Sequence, residues 1–500
     1  MGSLKMKRFF FCLWILMGAL WAVSPAGAGW DERISLFDPI GPLFDPLEEA
    51  VPGLMVKGMA RNWTRLASHE RTRDPNRQVG FHRTKRFPSI EWLGELELRY
   101  QATPNLEIVN INNFLYDSAF RWDSGGPYSR STRRELEYYH TTDRILRELY
   151  AVYYYGDMLD IKLGKQQLVW GKMDGKVIDI INPSDNRYSL ASTSDNFEWT
   201  RVPLWMANVI YTFGDYYLQL LWIPDFEPNR NPPPDGPFRS ISKPSRRSSI
   251  RTVNSLLTGD KPSQSFLNSE WGLRFNLVKG RWDLSFVYFY TWNDDPFRFR
   301  RGFEETLDLE GKVVERTFFL EPKHTRIHQF GLDLDQSFQL LGRNILVKGE
   351  AVYTLNSYFP VAGEPLREDG VKKSNQLLAA VNLETRFRGE ITASSQLQLR
   401  HIFGYNSRMR TLGRPQEKDR LDVIFGVNKL FKFTDNRLGL FWTNYYIDSG
   451  SWKERFDVKY ALSDYVDLMV RYWAFWGNHN SAYGMYKDRD EVEFFLKYEF

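Results

Sequence analysis

The sequence predicts an antiparallel up-and-down transmembrane β-barrel, and three observations support this fold class. The last eleven residues, DEVEFFLKYEF, alternate apolar and charged side chains and end on Phe500. Alternation of period two is typical of a strand, and one apolar and one polar face suit a wall between lipid and a wet lumen. A secretory leader opens the chain, and strand-like segments joined by alternately short and long connections fill the rest.

Residues 1–28 are predicted to be a signal peptide. They contain a basic start, an uncharged apolar run over 9–23, and a small-x-small cleavage motif at Ala26-Gly27-Ala28. The run is shorter than the ~20 residues that a spanning helix needs. The one cysteine of the chain, Cys12, lies inside the leader, so we expect no disulfide and no cysteine metal site in the mature chain.

Residues 29–53 are predicted to form a periplasmic N-terminal extension, and 54–500 to form the outer-membrane barrel with long extracellular loops. Within the extension, Pro39, Pro42 and Pro46 exclude a long helix or a central strand.

Composition excludes one further class and argues against another. No segment after the leader approaches 18 apolar residues, and the mean hydropathy is -0.47, so a helical membrane protein is excluded. Aromatic residues nevertheless make up 16% of the chain, as expected for belts at the two membrane rims. Losing the three cations of the leader lowers the formal charge from +4 to about +1, which argues against a nucleic-acid partner.

Alternation and turn residues together predict eighteen strands, with sixteen as the alternative. Short connections alternate with long ones, except at 448–451, as expected when one barrel end carries turns and the other carries loops. The predicted strands are 54–65, 91–101, 105–116, 144–156, 159–168, 204–213, 216–223, 269–277, 281–292, 326–339, 344–358, 374–387, 391–404, 420–432, 437–447, 452–460, 464–476 and 490–500.

Charged residues recur on one face of these strands, opposite apolar residues such as Leu273, Leu334 and Val470. This face is predicted to line the pore. Its members are Glu95, Glu97, Arg99, Arg274, Asp333, Asp335, Lys348, Glu350, Asp467, Arg471, Glu493 and Lys497.

The stretch Gly164-Lys165-Gln166-Gln167-Leu168-Val169-Trp170-Gly171, followed by Asn182-Pro183-Ser184-Asp185, is the most motif-like part of the chain. It resembles a poorly characterised family of porin-like bacterial outer-membrane barrels, in which G-[RK]-Q-x-x-x-W-G precedes N-P-x-D. That family is distantly similar to alginate-export-type barrels. The resemblance implies an outer-membrane channel or export component and supplies no substrate.

The loop after this motif is predicted to fold inward and narrow the pore. In that interpretation it presents mixed charge at a constriction, carried by Lys172, Asp174, Asp179, Asp185 and Arg187. The alternative is structural: these residues cap the preceding strand and hold the loop in a fold-over.

We expect no enzyme, metal or cofactor, because the sequence contains no His-Glu-x-x-His helix and no G-x-S-x-G elbow. The leading hypothesis is an outer-membrane channel for small polar or charged solutes. Two alternatives remain open: a component of an export or lipid-transfer system with a periplasmic or inner-membrane partner, and a surface scaffold. Expected partners are outer-membrane lipid and lipopolysaccharide, a small solute, and the barrel-assembly machinery. Phe500 resembles the C-terminal signal of bacterial outer-membrane barrels, which is why the assembly machinery is included.

The face assignment generates a first prediction. A charge on the lipid face costs roughly 2–4 kcal/mol at mid-bilayer, so Leu334→Arg should impair assembly. Asp333→Asn should leave assembly intact and change ion preference. Membrane insertion of both variants measures this, and equal insertion of the two would mean that the faces are wrongly assigned.

Overall fold

The computed structural model describes most of the chain after its first 42 residues. The described residues are 43–67, 87–122, 129–137, 145–173, 177–188, 197–233, 236–238, 251–257, 259, 261–340, 342–362, 369–411, 414–447, 450–478, 481–487 and 489–500. The predicted leader, most of the predicted extension, and Asp174 of the predicted constriction loop lie outside the described residues.

Strands dominate this part of the chain. Their bounds are β1 (Leu54–Ala67), β2 (Ser89–Thr103), β3 (Leu106–Asp117), β4 (Leu146–Tyr155), β5 (Leu159–Gln166), β6 (Leu204–Phe213), β7 (Tyr216–Ile223), β8 (Arg251–Leu256), β9 (Glu270–Lys279), β10 (Trp282–Trp292), β11 (Phe297–Leu307), β12 (Val313–Lys323), β13 (Arg326–Leu340), β14 (Arg343–Pro360), β15 (Val371–Phe387), β16 (Ile391–Ile402), β17 (Arg410–Thr411), β18 (Arg414–Pro415), β19 (Asp419–Leu430), β20 (Leu438–Ile447), β21 (Ser451–Ala461), β22 (Val466–Trp476) and β23 (Glu491–Glu499).

The helices are short. They are α1 (Asp45–Ala50), α2 (Ala119–Trp122), α3 (Arg130–Glu137) and α4 (Phe197–Thr200), with 3₁₀ turns at Phe266–Asn268, Lys432–Thr434 and Gly484–Tyr486. Within the described stretches, no helix has both the length and the apolar character needed to cross a membrane.

Eighteen of the described strands form one closed antiparallel barrel, and β8, β11, β12, β17 and β18 lie outside it. Each barrel strand pairs with the next one along the chain, while β1 pairs with both β2 and β23. Closure gives every barrel strand a hydrogen-bonded neighbour on both sides. This is needed in a membrane, because lipid offers no hydrogen-bond partner to an open strand edge. The eighteen-strand prediction is confirmed, including the first strand, and the sixteen-strand alternative is wrong.

The connections separate by length between the two ends of the barrel. The end at which the chain enters β1 and leaves β23, called the terminus end below, carries tight turns such as those at Gly214 and Gly280. Both glycines adopt left-handed backbone angles, with φ of 62° and 64°. The opposite end, called the loop end, carries the long connections, with the short 448–450 link as the predicted exception.

Side chains alternate between the two faces of the wall as predicted. In β9, Trp271 and Leu273 are exposed on the outside of the protein, whereas Arg274 and Asn276 are buried on the inside. The same division holds in β13, where Leu332 is exposed and Asp333 is 1% exposed. The outer face is therefore apolar, and the charges of the barrel lie within it.

One part of the loop end differs from the prediction. The connections predicted at 224–268 and 293–325 contain a separate three-stranded sheet, in which β12 pairs antiparallel with β11 and parallel with β8. The parallel pairing joins segments about sixty residues apart, such as Arg251 and Glu315. Alternation within a segment does not reveal a strand partner that lies so far away in the sequence, so the sequence predicts loops here.

The last residue of the chain extends the seam between β1 and β23 by one pair. Phe500 and Gly58 exchange two backbone N–H···O bonds of 3.0 Å. The Phe500 ring occupies the space where a Cβ atom on Gly58 would lie. It also stacks on Phe44, with ring centroids 5.4 Å apart. A glycine at position 58 therefore makes room for the terminal ring.

This packing predicts that Gly58→Val weakens the seam. The added side chain must displace the Phe500 ring, and overpacking of this kind costs about 1–3 kcal/mol. The temperature at which the folded band disappears in a semi-native gel should fall.

Gly94→Val is the matched control, because Gly94 lies on the neighbouring strand β2 and a Cβ atom there meets nothing within 4 Å. An equal fall for both variants would contradict the proposed role of Gly58.

Candidate functional site

The predicted pore-lining residues lie on the inner wall of the barrel, where strand register brings several of them into contact. Arg471 and Glu493 are directly opposite each other on β22 and β23, and so are Asp467 and Lys497. The Lys497 ammonium lies 3.1 Å from Asp467 Oδ2. On β13 and β14, Asp333 faces Glu350 and Asp335 faces Lys348. At the terminus half of β2, Arg99 pairs with Glu97, and Glu95 lies on the same face.

The connection after β5 turns into the lumen and packs on the inner wall. Its side chains Trp170, Ile178 and Ile181 are buried against residues that β6, β7, β10 and β14 point inward. Together they form an apolar cluster inside the barrel, comprising Trp170, Ile178, Ile181, Leu204, Met206, Leu221, Ile223, Val287, Phe289 and Val352. These described side chains of the connection therefore occupy part of the barrel interior.

Two glycines on the wall make room for this packing. A Cβ atom on Gly272 would lie 3.0 Å from the Trp170 ring, and one on Gly331 would lie 2.8 Å from Ile178 Cδ1. Each glycine occupies an inward position of its strand, β9 or β13. Larger side chains at either position would push the connection off the wall.

Polar side chains of the motif fix the path of the connection. The Trp170 indole N–H donates to Gln219 Oε1 at 2.9 Å, and Gln219 donates in turn to Asn208 Oδ1 at 2.9 Å. Asn182 accepts from the Leu168 backbone N–H at 2.9 Å and donates to the Val202 carbonyl at 2.9 Å. These residues thus have a structural task, independent of any solute.

Lys172 ties the connection to the wall through an ion cluster. Its ammonium lies 2.6 Å from Asp283 Oδ2, 3.0 Å from Asp335 Oδ2 and 3.6 Å from Asp333 Oδ1. Arg274 reaches the other oxygen of Asp333 at 3.1 Å. The cluster brings together predicted pore-lining residues and one predicted constriction residue. Over the described residues, no group of three or more His, Cys, Asp or Glu side chains is arranged to hold a metal.

Glu350 adds a second anchor. Its two carboxylate oxygens accept the backbone N–H groups of Lys172 at 2.6 Å and Ile178 at 3.1 Å. A carboxylate with both oxygens satisfied by one segment holds that segment in a single orientation.

Lys172 stays charged at neutral pH. Burial lowers its pKa, but hydrogen bonds to Asp283 and Asp335 and the charge of Asp333 raise it more, so the pKa lies above the ordinary value of 10.5. A pKa raised by folding adds stability that is complete below the unfolded value and is lost as pH rises through the folded value. Lys172 should therefore keep its charge in the ion cluster across the neutral range and lose it in strong alkali.

The other described constriction residues form ion pairs, two of them within the connection after β5. Asp179 accepts from Arg201 at 2.7 Å, and Arg187 lies 2.5 Å from Asp185. Asp185 also lies 3.8 Å from Arg230, in the connection after β7. These contacts tie parts of the connection after β5 to one another and to the connection after β7.

Sequence reasoning missed four contributors to this region: Asp283, Gln219, Gly272 and Gly331. Asp283 and Gln219 occupy inward positions of predicted strands, so alternation identifies the face. Alternation does not reveal which loop residue reaches them. Glycines at inward positions of two nearby strands were the one available signal that another segment approaches the wall closely.

A protein-family model described as protein of unknown function (DUF1302) matches residues 88–500. No curated protein matches the chain.

Several solved structures have a similar backbone. Acinetobacter baumannii OccAB2 has a TM-score of 0.51 at 11% identity, covering 90% of this chain and 98% of that one. Pseudomonas aeruginosa OccK8 (OprE) has a TM-score of 0.50 at 9% identity, with the same two coverages. Acinetobacter baumannii OccAB1 has a TM-score of 0.50 at 9% identity, covering 90% of this chain and 97% of that one. At these identities the likeness concerns the fold alone.

The ion cluster predicts that Lys172→Met loosens the connection. The loss leaves the Asp283, Asp333 and Asp335 carboxylates without their shared cation, which costs about 1–3 kcal/mol for a partly buried group. Val177 is 2% exposed, so a cysteine introduced there reports how tightly the connection is packed. The measurement uses a chain without Cys12, so that the new cysteine is the one thiol present. Labelling of that thiol by a maleimide should become about tenfold faster.

Lys312→Met serves as the control, because Lys312 is an exposed loop residue paired with Glu310. Equal labelling rates in the two variants would show that the ion cluster does not hold the connection.

Proposed function

This chain belongs to the DUF1302 family, and we propose that it forms a channel in the bacterial outer membrane for small polar or charged solutes. The observation that carries the proposal is the closed eighteen-strand barrel with an apolar outer face and a charged inner face. A barrel of this size is wide enough to enclose a water-filled path. Inward charges such as Asp335 and Lys497, whose side chains stay about a quarter exposed inside a wall that is apolar outside, suit a hydrated lumen.

Selectivity in this proposal arises from side chains and loops, without catalysis or a cofactor. The inward charges on β2, β9, β13, β14, β22 and β23 line the path. The connection after β5 restricts it, with Lys172 at the wall and Asp174 in the adjoining segment. Its buried apolar cluster supports a fixed restriction, because about ten packed side chains resist displacement by solvent.

In this proposal the two ends of the chain direct export and assembly. Residues 1–28 direct export and are cleaved, and residues 29–53 remain in the periplasm at the terminus end. The loop end faces outward and meets lipopolysaccharide. Phe500 is the residue through which the barrel-assembly machinery recognises the chain before closure.

Planar-bilayer recording of the refolded protein tests the proposal. Stable ohmic current steps in a simple salt are the expected result, because an open hydrated path conducts ions. A heat-denatured sample of the same preparation is the control. Absence of conductance from a correctly folded barrel would contradict the channel. Silence combined with co-purification of an inner-membrane transporter would favour export.

A further inference from the structure

A tract of polar side chains covers the inner wall where β14, β15, β16 and β19 adjoin, in the half of the barrel nearer the terminus end. Alternation places these side chains inward, because neighbours on the same strands, such as Val381, Leu383 and Phe425, are exposed on the outer face. The six members, called the polar tract below, are Lys348, Asn382, Glu384, Thr392, Ser394 and Asn428. All six are half-buried.

The polar tract differs from other parts of the inner wall in its hydrogen bonding. Elsewhere several inward charges are held by one another, as in Lys497 with Asp467 and Arg471 with Asp457. Over the residues that the structure describes, the side chains of the polar tract form no hydrogen bond or ion pair with another residue. Their donors and acceptors are therefore available to a solute in the lumen.

The strand register makes the polar tract compact. It sets the members in three opposed pairs, Lys348 with Asn382, Glu384 with Ser394, and Thr392 with Asn428. Neighbouring strands lie about 4.8 Å apart and alternate residues of one strand about 6.7 Å apart, so four strands and three rows span roughly 14 Å by 13 Å. This area suits a molecule of two sugar-sized rings.

An inward glycine leaves open space beside the polar tract. A Cβ atom on Gly426 would lie 3.0 Å from Ser394 Oγ and 3.9 Å from the Trp442 carbonyl oxygen, with no other described atom within 4 Å. At the inward glycines of β9 and β13, by contrast, the connection after β5 fills the corresponding space. A glycine within a strand often marks a close approach of a ligand or another segment. Because no described segment covers Gly426, its place in the wall is open to a solute.

The polar tract also lies next to the connection that packs inside the barrel. Glu350, which accepts two backbone N–H groups of that connection, is an inward residue of β14. Lys348 is the next inward residue on the same strand, toward the terminus end. A solute that passes the connection therefore meets the polar tract next.

The residue types of the polar tract favour an uncharged solute with many hydroxyl groups. Asparagine amides and serine or threonine hydroxyls each donate and accept hydrogen bonds, as sugar hydroxyls do. Lys348 and Glu384 add donors and acceptors, and their formal charges cancel. A small ion thus gains little net attraction, and an apolar solute would cover polar groups without replacing their hydrogen bonds to water.

We propose that the polar tract is a binding site for an uncharged, polyhydroxylated solute of about the size of a disaccharide. The proposal rests on the proposed channel function and deepens it by naming the solute class. Asn382 and Asn428 supply hydrogen bonds at opposite corners of the tract, and Gly426 lets a ring approach the wall.

Single-channel recording tests the site with trehalose and heptaethylene glycol. Both are uncharged and of similar mass, but trehalose carries hydroxyl groups around both rings, whereas the glycol has one at each end. A bound solute lowers the ion current, and dividing by the conductivity of the bathing solution removes the effect of viscosity. In the unaltered protein, trehalose should reach half-maximal block at a concentration about fivefold lower than the glycol, as one additional net hydrogen bond provides.

Two variants test the site in different ways. Asn382→Leu with Asn428→Leu removes both amides at nearly constant side-chain shape, so trehalose and the glycol should then block at similar concentrations. Gly426→Val keeps every member of the polar tract and fills the open space, so it should also weaken block by trehalose severalfold. Gln101→Leu is the control, because this exposed amide lies on β2, across the barrel, and the preference for trehalose should persist.

The outcomes distinguish this inference from the channel itself. Equal block by the two solutes in the unaltered protein, or a preference for trehalose that survives both variants, would overturn the binding site and leave the channel intact. Absence of any current in the unaltered protein would overturn the proposed function instead.

Discussion

The backbone hydrogen bonds between the first and last strands are the constraint on which the rest of this structure depends. Lipid offers no partner for an open strand edge, so β1 must meet β23, and Arg65 then lies opposite Glu493. Closure turns one face of every strand toward a common enclosed space. Because the outer face must be mostly apolar, most charges of the wall lie on the inner face, and several neutralise one another there, as in Arg65 with Glu493 and Arg471 with Asp457.

The enclosed space is partly filled by the protein itself. The connection after β5 brings its own apolar cluster into the barrel and is held at the wall by charge. Lys172 and Glu350 act at neighbouring points, one by its ammonium and one by accepting two backbone N–H groups. Packing and charge thus hold the same connection at the inner wall.

Alternation was sufficient to predict the barrel, the number of its strands and the face of each charged residue. Period two is a local property, and a slip by one residue would place every charge of a strand in lipid. Alternation does not predict contacts between residues that lie far apart in the sequence. The register places Lys348 opposite Asp335, yet the cation that contacts Asp335 is Lys172, from a loop more than 150 residues earlier. The parallel pairing of β8 with β12 was missed for the same reason, because no local pattern specifies a distant partner.

The central claim is a closed cylinder that is apolar outside and charged inside, and lipid-dependent fluorescence quenching along one strand tests it most directly. Single cysteines placed from Phe330 to Gln336, in a chain without Cys12, would carry a fluorophore in bilayers with brominated acyl chains. Quenching at 330, 332 and 334, with little at 331, 333 and 335, is the result that the account predicts. Uniform quenching along the strand, or none at any position, would contradict it.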